Sequence, residues 1–387
     1  MPASYAFELL CRDGRARRGR LHTAHGTVET PAFMPVGTRG AVRALTPRDL
    51  EEIGAEIVLG NTYHLYLRPG DELIARRGGL HRFMGWTRPI LTDSGGYQVF
   101  SLAARRRVEE AGARFRSHLD GREHLLTPEK AVDIQARLGS DIAMVLDECA
   151  PASAGLGEQR RAMERSLRWA RRARERFEAV RSGAVREVGM TNPAQVQFGI
   201  VQGGTSFDLR EESVGGTVAI GFEAYAIGGL SVGEPVPLMY DVVEHVAPML
   251  PADRPRYLMG AGLPDDLVEC VARGIDLFDC VIPTRNARNG QLLTRTGPLN
   301  IRNARYAEDD RPVDEACGCY TCRGFSRAYL RHLAVSGEII SATLNTLHNL
   351  YFYLDTVRRM REAIEFGSFD AFRQDFLRTF SRRSPAP

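Results

Sequence analysis

Between Leu277 and Ile282 the chain runs through an apolar stretch with Asp279 at its middle. An ionised carboxylate among apolar residues is costly unless something pairs it or uses it. Pro283 is expected to end this strand, with Arg285 and Arg288 following in a Gly/Asn-rich loop of GIDLFDCVIPTRNARNGQ. A carboxylate beside a basic loop suits attack on a sugar carbon while guanidinium groups grip the neighbouring phosphates. The alternative is a structural aspartate paired with Arg273 or Arg285.

Five more motifs offer chemistry. LTDSGGYQVF sets Asp93 at a strand end, followed by Ser94 and two glycines that let a substrate approach the backbone. Tyr97 adds a ring on which a base could stack, although the same residues also make an ordinary turn. In MVLDECA, Asp147 could accept two parallel N–H bonds, which suits N1–H and the exocyclic amine of guanine, or it could cap the next segment. FGIVQGG supplies Gln202, an amide donor for a carbonyl oxygen, and AIGGLSVGE supplies backbone amides at Gly228, Gly229 and Leu230. CGCYTC places Cys317, Cys319 and Cys322 close together, with His348 further on. Three thiolates and an imidazole close a tetrahedral zinc site with no open position, hence a structural one. Free or redox-active thiols are the alternative.

Eight short apolar runs position these residues: Phe33–Val36, Ile57–Leu59, Ile90–Leu91, Ile142–Leu146, Phe198–Val201, Tyr225–Ile227, Tyr257–Met259 and Leu277–Ile282. Helical segments separate most of them, two opening with Thr46-Pro47 and Thr127-Pro128 as cap and first-turn proline. The longest helix, near Glu158–Val180, keeps Met163, Leu167, Ala170 and Phe177 on one face and sets Arg168, Arg171, Arg172 and Arg176 elsewhere, as a solvated face. Residues Tyr5–Val28 read as antiparallel strands around Asp13-Gly14, and Phe115–Leu126 as an inserted hairpin. Alternating strands and helices predict a (β/α)8 barrel. Asn61, Asp93, Asp147, Gln202, Gly228-Gly229 and Gly260 would then line the end that carries chemistry in such barrels. Phe325, Tyr329 and His332 share a helical face, which periodicity alone assigns to the core.

A chain of 387 residues with 43% hydrophobic content can bury one large barrel. Its net charge of +3 does not by itself argue for nucleic acid, and Lys130 is its only lysine. No run of about 18 apolar residues suggests a membrane span. The N-terminus lacks a signal-peptide core, and the scattered cysteines fit a reducing cytoplasm. No GxxxxGK[ST] cradles a nucleotide phosphate. A metal-dependent barrel hydrolase would need several His/Asp ligands at strand ends, and only His64 comes near one.

Taken in order, LTDSGGYQ, MVLDEC, FGIVQGG, GGLSVGE, YLMGAG, FDCVIPTR-NARNGQ and CxCxxC with a distant histidine resemble the bacterial tRNA-guanine transglycosylases, over nearly the whole chain. The resemblance implies a (β/α)8 TIM-type barrel with N-terminal antiparallel strands and a zinc-binding insertion after strand 8. It implies one catalytic domain over 1–387, with the zinc subdomain at about 284–350. The implied activity belongs to queuosine biosynthesis: exchange of the anticodon wobble guanine of tRNA, in a uridine-guanine-uridine context, for 7-aminomethyl-7-deazaguanine. Asp279 would be the nucleophile that forms a covalent ribosyl intermediate, and Asp93 the general acid/base. Ser94, Tyr97, Asp147, Gln202, Gly228, Gly229, Leu230 and Met259 would bind the base, and Arg285 and Arg288 the RNA. Cys317, Cys319, Cys322 and His348 would hold one structural Zn2+ per subunit of a cytoplasmic homodimer, with Phe325, Tyr329 and His332 at the subunit contact. Partner proteins of the family keep the barrel without the chemistry, but Asp93 and Asp279 together argue against that reading. Val232 stands where eukaryotic relatives, which take the bulky queuine base, carry glycine. With Cys149, it implies a narrower pocket that excludes queuine.

Overall fold

The eight apolar runs form eight parallel strands, in a computed structural model that describes residues 5–102 and 106–380. The strands are Ala32–Gly37, Val58–Gly60, Ile90–Thr92, Ile142–Met144, Val196–Val201, Ala224–Ile227, Arg256–Leu258 and Leu277–Cys280. Each pairs with its neighbours in sequence, and Leu277 against Ala32 closes the barrel. Nearly every strand residue is buried, because side chains fill the inside and helices cover the outside. Asp279 is the exception, partly exposed within the eighth strand.

The expected cap signals act as read. Thr46 makes a reciprocal capping box with Asp49, and the Thr127 side chain accepts from Lys130 N. The opposite end of the barrel is covered by three antiparallel strands, Ala6–Asp13, Ala16–Thr23 and Gly26–Thr30. Buried Arg17 reaches Asp276 there, just ahead of the eighth strand, at 3.2 Å. Asp141, just ahead of the fourth strand, accepts from His25 Nδ1 at 2.7 Å, His81 Nε2 at 3.0 Å and Ile90 N at 2.9 Å. Burial pushes its carboxyl up, but the two imidazoles outweigh this and hold it down at about 2.

Three expectations are corrected, and a fourth gains detail. Pro283 does not stop a strand before a loop: the strand ends at Cys280, and Arg285 and Arg288 sit on a helix, Ile282–Arg288. Proline's fixed φ and missing N–H fit the first turn of a helix as well as they end a strand. The hairpin insertion has a third strand, Arg106–Glu109, beside Gly112–Arg116 and Glu123–Leu126. The arginine face of the Leu156–Arg181 helix lies at the surface as expected, with Arg168 and Arg171 exposed, and three of its charges are paired there: Arg168 with Glu110, Arg172 with Glu129 and Arg176 with Asp133, each through two hydrogen bonds. Tyr329 and His332 are exposed and Phe325 is half-buried, so that face is not core; Leu330, Leu333 and Ala334 point inward instead.

Beyond the eighth strand come a hairpin (Gln291–Thr294 and Gly297–Asn300), short helices and the long helix Ile339–Glu365, which returns to the barrel. Its Tyr353 donates to Gly262 O at 2.5 Å and packs on Phe33 with ring centroids 4.7 Å apart. Among the described residues, no helix is long and apolar enough to cross a membrane.

Candidate active site and metal centre

Asp279 lies on the eighth strand, where the Tyr257 hydroxyl donates to its Oδ1 at 2.5 Å and Gly260 N donates to the same oxygen at 2.9 Å. Arg273, one suggested ion-pair partner, is engaged with Glu269 and Glu244, and no arginine pairs with Asp279 among the described residues. Its second oxygen, Oδ2, has no hydrogen-bond partner among them. Burial pushes the carboxyl up, and the two donors hold it back. Tyr257 is itself buried beside this charge, which raises its phenol far above the usual value and keeps it a donor.

Asp93 follows the third strand. Asn61 Nδ2 and Gln98 Nε2 donate to its Oδ2, the latter at 2.9 Å; Thr62 N and Gly95 N donate to Oδ1 at 2.8 and 3.1 Å. Burial still lifts it to about 6, and the charge of Asp279 adds to the lift. Two carboxylates thus share this end of the barrel, close enough for one charge to lift the other, one with a free oxygen and one poised to hold or release a proton near neutrality.

Asp147 comes after the fourth strand and caps nothing, because the next helix starts at Leu156 behind Gly155. Gln202 Nε2 donates to its Oδ2 at 2.6 Å, fixing a carboxylate and an amide side by side. Burial lifts Asp147 to about 6 against this bond, with the charge of Asp93 opposing its ionisation and the Ser94 hydroxyl favouring it. Gly228 and Gly229 pack on the same amide: a Cβ on Gly229, whose φ is +68°, would lie 2.3 Å from Gln202 Oε1. Leu230 is buried beyond them. Glu234 accepts from the Ser231 and Val232 amides. Tyr97, in the first turn of the Gly96–Leu102 helix, is 54% exposed, and Met259 is half-buried after the seventh strand.

Arg285 is exposed and Arg288 half-buried. Burial lowers the Arg288 guanidinium, and the charges of Arg43 and Arg285 lower it further. Three cations face one another without a carboxylate among the described residues, an arrangement that attracts phosphates. Arg39 and Arg43 also help burial to hold His64 near 4, so that ring is neutral.

Sequence reasoning missed Tyr257 and Arg43. A tyrosine in an apolar strand reads as core, and the one available signal was that its strand is the neighbour of the strand that carries Asp279. Arg43, in VGTRGAVR just past the first strand, lies at the same barrel end as the other strand-end residues.

Cys317, Cys319, Cys322 and His348 meet behind the barrel mouth, their ligand atoms all within 4.8 Å of one another. The sulfurs lie 3.8, 3.5 and 3.3 Å from His348 Nδ1. A tetrahedral zinc with ordinary Zn–S and Zn–N bonds requires about 3.6 Å for that edge. His348 Nε2 lies 2.7 Å from Leu293 O, which makes it the protonated nitrogen and leaves Nδ1 for the metal. The donor set fits zinc. His25, His81 and Asp141 also cluster, but the two rings stack at 3.6 Å and 15°, so their in-plane lone pairs do not converge on one ion.

The family description "Queuine tRNA-ribosyltransferase" matches residues 11–382 of this chain. A protein of that name from Nitratidesulfovibrio vulgaris (strain DP4) is 56% identical over 370 residues, covering 96% of each chain. Another, from Shewanella denitrificans, is 55% identical over 379 residues, covering 98% of each.

Proposed function

Because the chain belongs to the queuine tRNA-ribosyltransferase family, an enzyme family of tRNA-guanine transglycosylation in queuosine synthesis, we propose a retaining double displacement that runs through Asp279. The observation that carries this reading is the pair Asp279 and Asp93 at the C-terminal mouth of the barrel, beside the coupled Asp147–Gln202 edge.

The wobble guanosine leaves the anticodon loop and enters the mouth, which costs little from a single-stranded loop. Arg43, Arg285 and Arg288 hold the flanking phosphates. Asp147 accepts N1–H and the exocyclic amine of guanine, the Gln202 amide and the Gly229 amide face its carbonyl oxygen, and Tyr97 and Met259 cover its faces. Asp279 Oδ2 forms a bond to ribose C1′ as the C1′–N9 bond breaks, and Asp93 gives its proton to the departing guanine. The RNA chain stays intact, joined to the protein through an acetal ester. The incoming 7-deazaguanine gives its N9 proton to Asp93 and attacks C1′, and the electron pair of the C1′–O bond returns to Asp279. Two inversions retain configuration. The Tyr257 hydroxyl and Gly260 N receive that returning charge, already in place.

Cys317, Cys319, Cys322 and His348 would hold one Zn2+, which supplies structure to the segment. His348 shares its helix with Asn345 and Asn349, whose amides donate to Ala287 O, Pro283 O and Gln291 O. The metal ligand thus anchors the helix that carries Arg285 and Arg288. The single-domain reading over 1–387, with a zinc subdomain at about 284–350, rests on this anchoring.

For the incoming base, the narrower choice is 7-aminomethyl-7-deazaguanine. The bond from Ser231 N to Glu234 fixes the plane of the Leu230–Ser231 peptide, so that Leu230 O points the opposite way and can accept from a protonated aminomethyl group, worth about 1.5–3 kcal/mol. Val232 and Cys149 narrow the space in which queuine's ring would lie. A homodimer fits the exposed apolar side chains Tyr320, Tyr329, Val335, Ile339 and Ile340 around the zinc segment.

Incubation with tRNA and radiolabelled guanine tests the reaction. Label should enter the RNA without cleavage. An RNA-binding subunit would leave it unlabelled, and a hydrolase would release base or fragments.

A further inference from the structure

Arg210 is fully buried, yet no carboxylate lies within ion-pair distance among the described residues. It sits in the first turns of the Phe207–Ile220 helix, and burial lowers its guanidinium to about 10, so it stays charged at neutral pH. A buried, unpaired cation is expensive, and a straight apolar side chain would fill the same space without that cost. What its donors do must be set against this.

Nη1 donates to Val201 O at 2.8 Å and Nε donates to Gly204 O at 2.8 Å, while Nη2 has no partner. These two carbonyls bracket Gln202. One turn along the same helix, the Ser213 hydroxyl accepts from Gln202 N at 3.0 Å. Gly203 lets the turn lie directly on the helix, since at φ +138° a Cβ would come 2.9 Å from Arg210 N. Gly228 N donates to the same Val201 carbonyl, at 3.1 Å. The guanidinium therefore holds the carbonyls on either side of the Gln202 turn, one of which it shares with Gly228 N of the neighbouring wall, and it is itself fully buried.

We propose that Arg210 is a positioning residue that sets the pocket's preference for a 6-oxo purine, by fixing the Gln202 amide through the Val201 and Gly204 carbonyls. This rests on the reading of Gln202 as the group that faces the base carbonyl. With the bracket loosened, the amide can rotate, and the energy of its bond to the base is lost while Asp147 still binds the other edge.

The test is competition of free bases against incorporation of labelled guanine into tRNA, comparing guanine with 2-aminopurine, which lacks the 6-oxygen and the N1 proton. The lost Asp147 bond to N1–H is common to the parent and every variant, so the change in the ratio reads the Gln202 contact. The parent protein should favour guanine by about 100-fold or more. Gln202→Leu should reduce that ratio by about tenfold, Arg210→Met should do the same, and the double variant should fall no further, because both remove the one contact to the 6-oxygen and leave that of Asp147. Arg210→Lys, able to reach one carbonyl only, should give an intermediate ratio. It also serves if Arg210→Met does not fold. An unchanged ratio in Arg210→Met or Arg210→Lys, with only kcat or melting altered, would overturn the proposal. An unchanged ratio in Gln202→Leu would instead defeat the reading of the pocket on which it rests.

Discussion

At the residue scale, the site depends on carboxylates held where ionisation is expensive. Asp93 and Asp147 are both lifted to about 6, and Asp147 must be ionised to accept two N–H bonds. The KM for guanine should therefore climb as pH falls below about 6, approaching tenfold per unit, and steady-state kinetics from pH 5 to pH 8 measures it. Stability runs the other way. A carboxyl raised from its unfolded value near 3.8 contributes stability below that value and loses it as pH rises through about 6. Relative to the parent, Asp147→Asn should gain about 3 kcal/mol between pH 4 and pH 8 in denaturant melts, while losing base binding. Gly229→Ala should raise the guanine KM at least tenfold, because its Cβ would meet Gln202 Oε1 at 2.3 Å. The carboxylates were legible because a charged residue at an apolar strand's end has few structural uses. Tyr257 was not, since its ring satisfies the core pattern and only its hydroxyl, which periodicity cannot see, reaches Asp279.

At the element scale, strand periodicity located the barrel, because parallel strands buried on both faces leave continuous apolar runs. Local punctuation was less reliable. Pro283 could equally end a strand or begin a helix, and only the long helix behind it, through Asn345 and Asn349, decides for the helix. The Arg106–Glu109 strand is arginine-rich and pairs at the sheet's edge, so it carries no apolar signature. The metal segment makes its own prediction. Cys319→Ser or His348→Ala should lower zinc content and melting temperature together, and should weaken tRNA binding more than free-base binding. Arg285 and Arg288 ride on the helix that the His348 helix anchors, whereas Asp147 and Gln202 do not. Stoichiometric zinc with unchanged melting in either variant would refute the ligand assignment.

At the scale of the whole molecule, the barrel mouth is small beside a tRNA, and the second subunit of the proposed dimer would offer further surface to hold it. Helical spacing assigned Phe325, Tyr329 and His332 to the core, but periodicity cannot distinguish a face covered by the same chain from one left open. Tyr329 is 44% exposed and Ile339 87%. Sedimentation at micromolar concentration should show a dimer, and a 43.0 kDa species alone would count against it. The same assembly, caught in mid-reaction, gives the most direct test of Asp279. Protein mixed with tRNA and a base analogue that cannot complete the second displacement, then denatured, should yield a protein–RNA adduct. Digestion and mass spectrometry should place the ribosyl group on the peptide containing Asp279, and Asp279→Asn should form no adduct. A ribosyl group on Asp93, or an adduct that persists in Asp279→Asn, would contradict the assignment of the nucleophile.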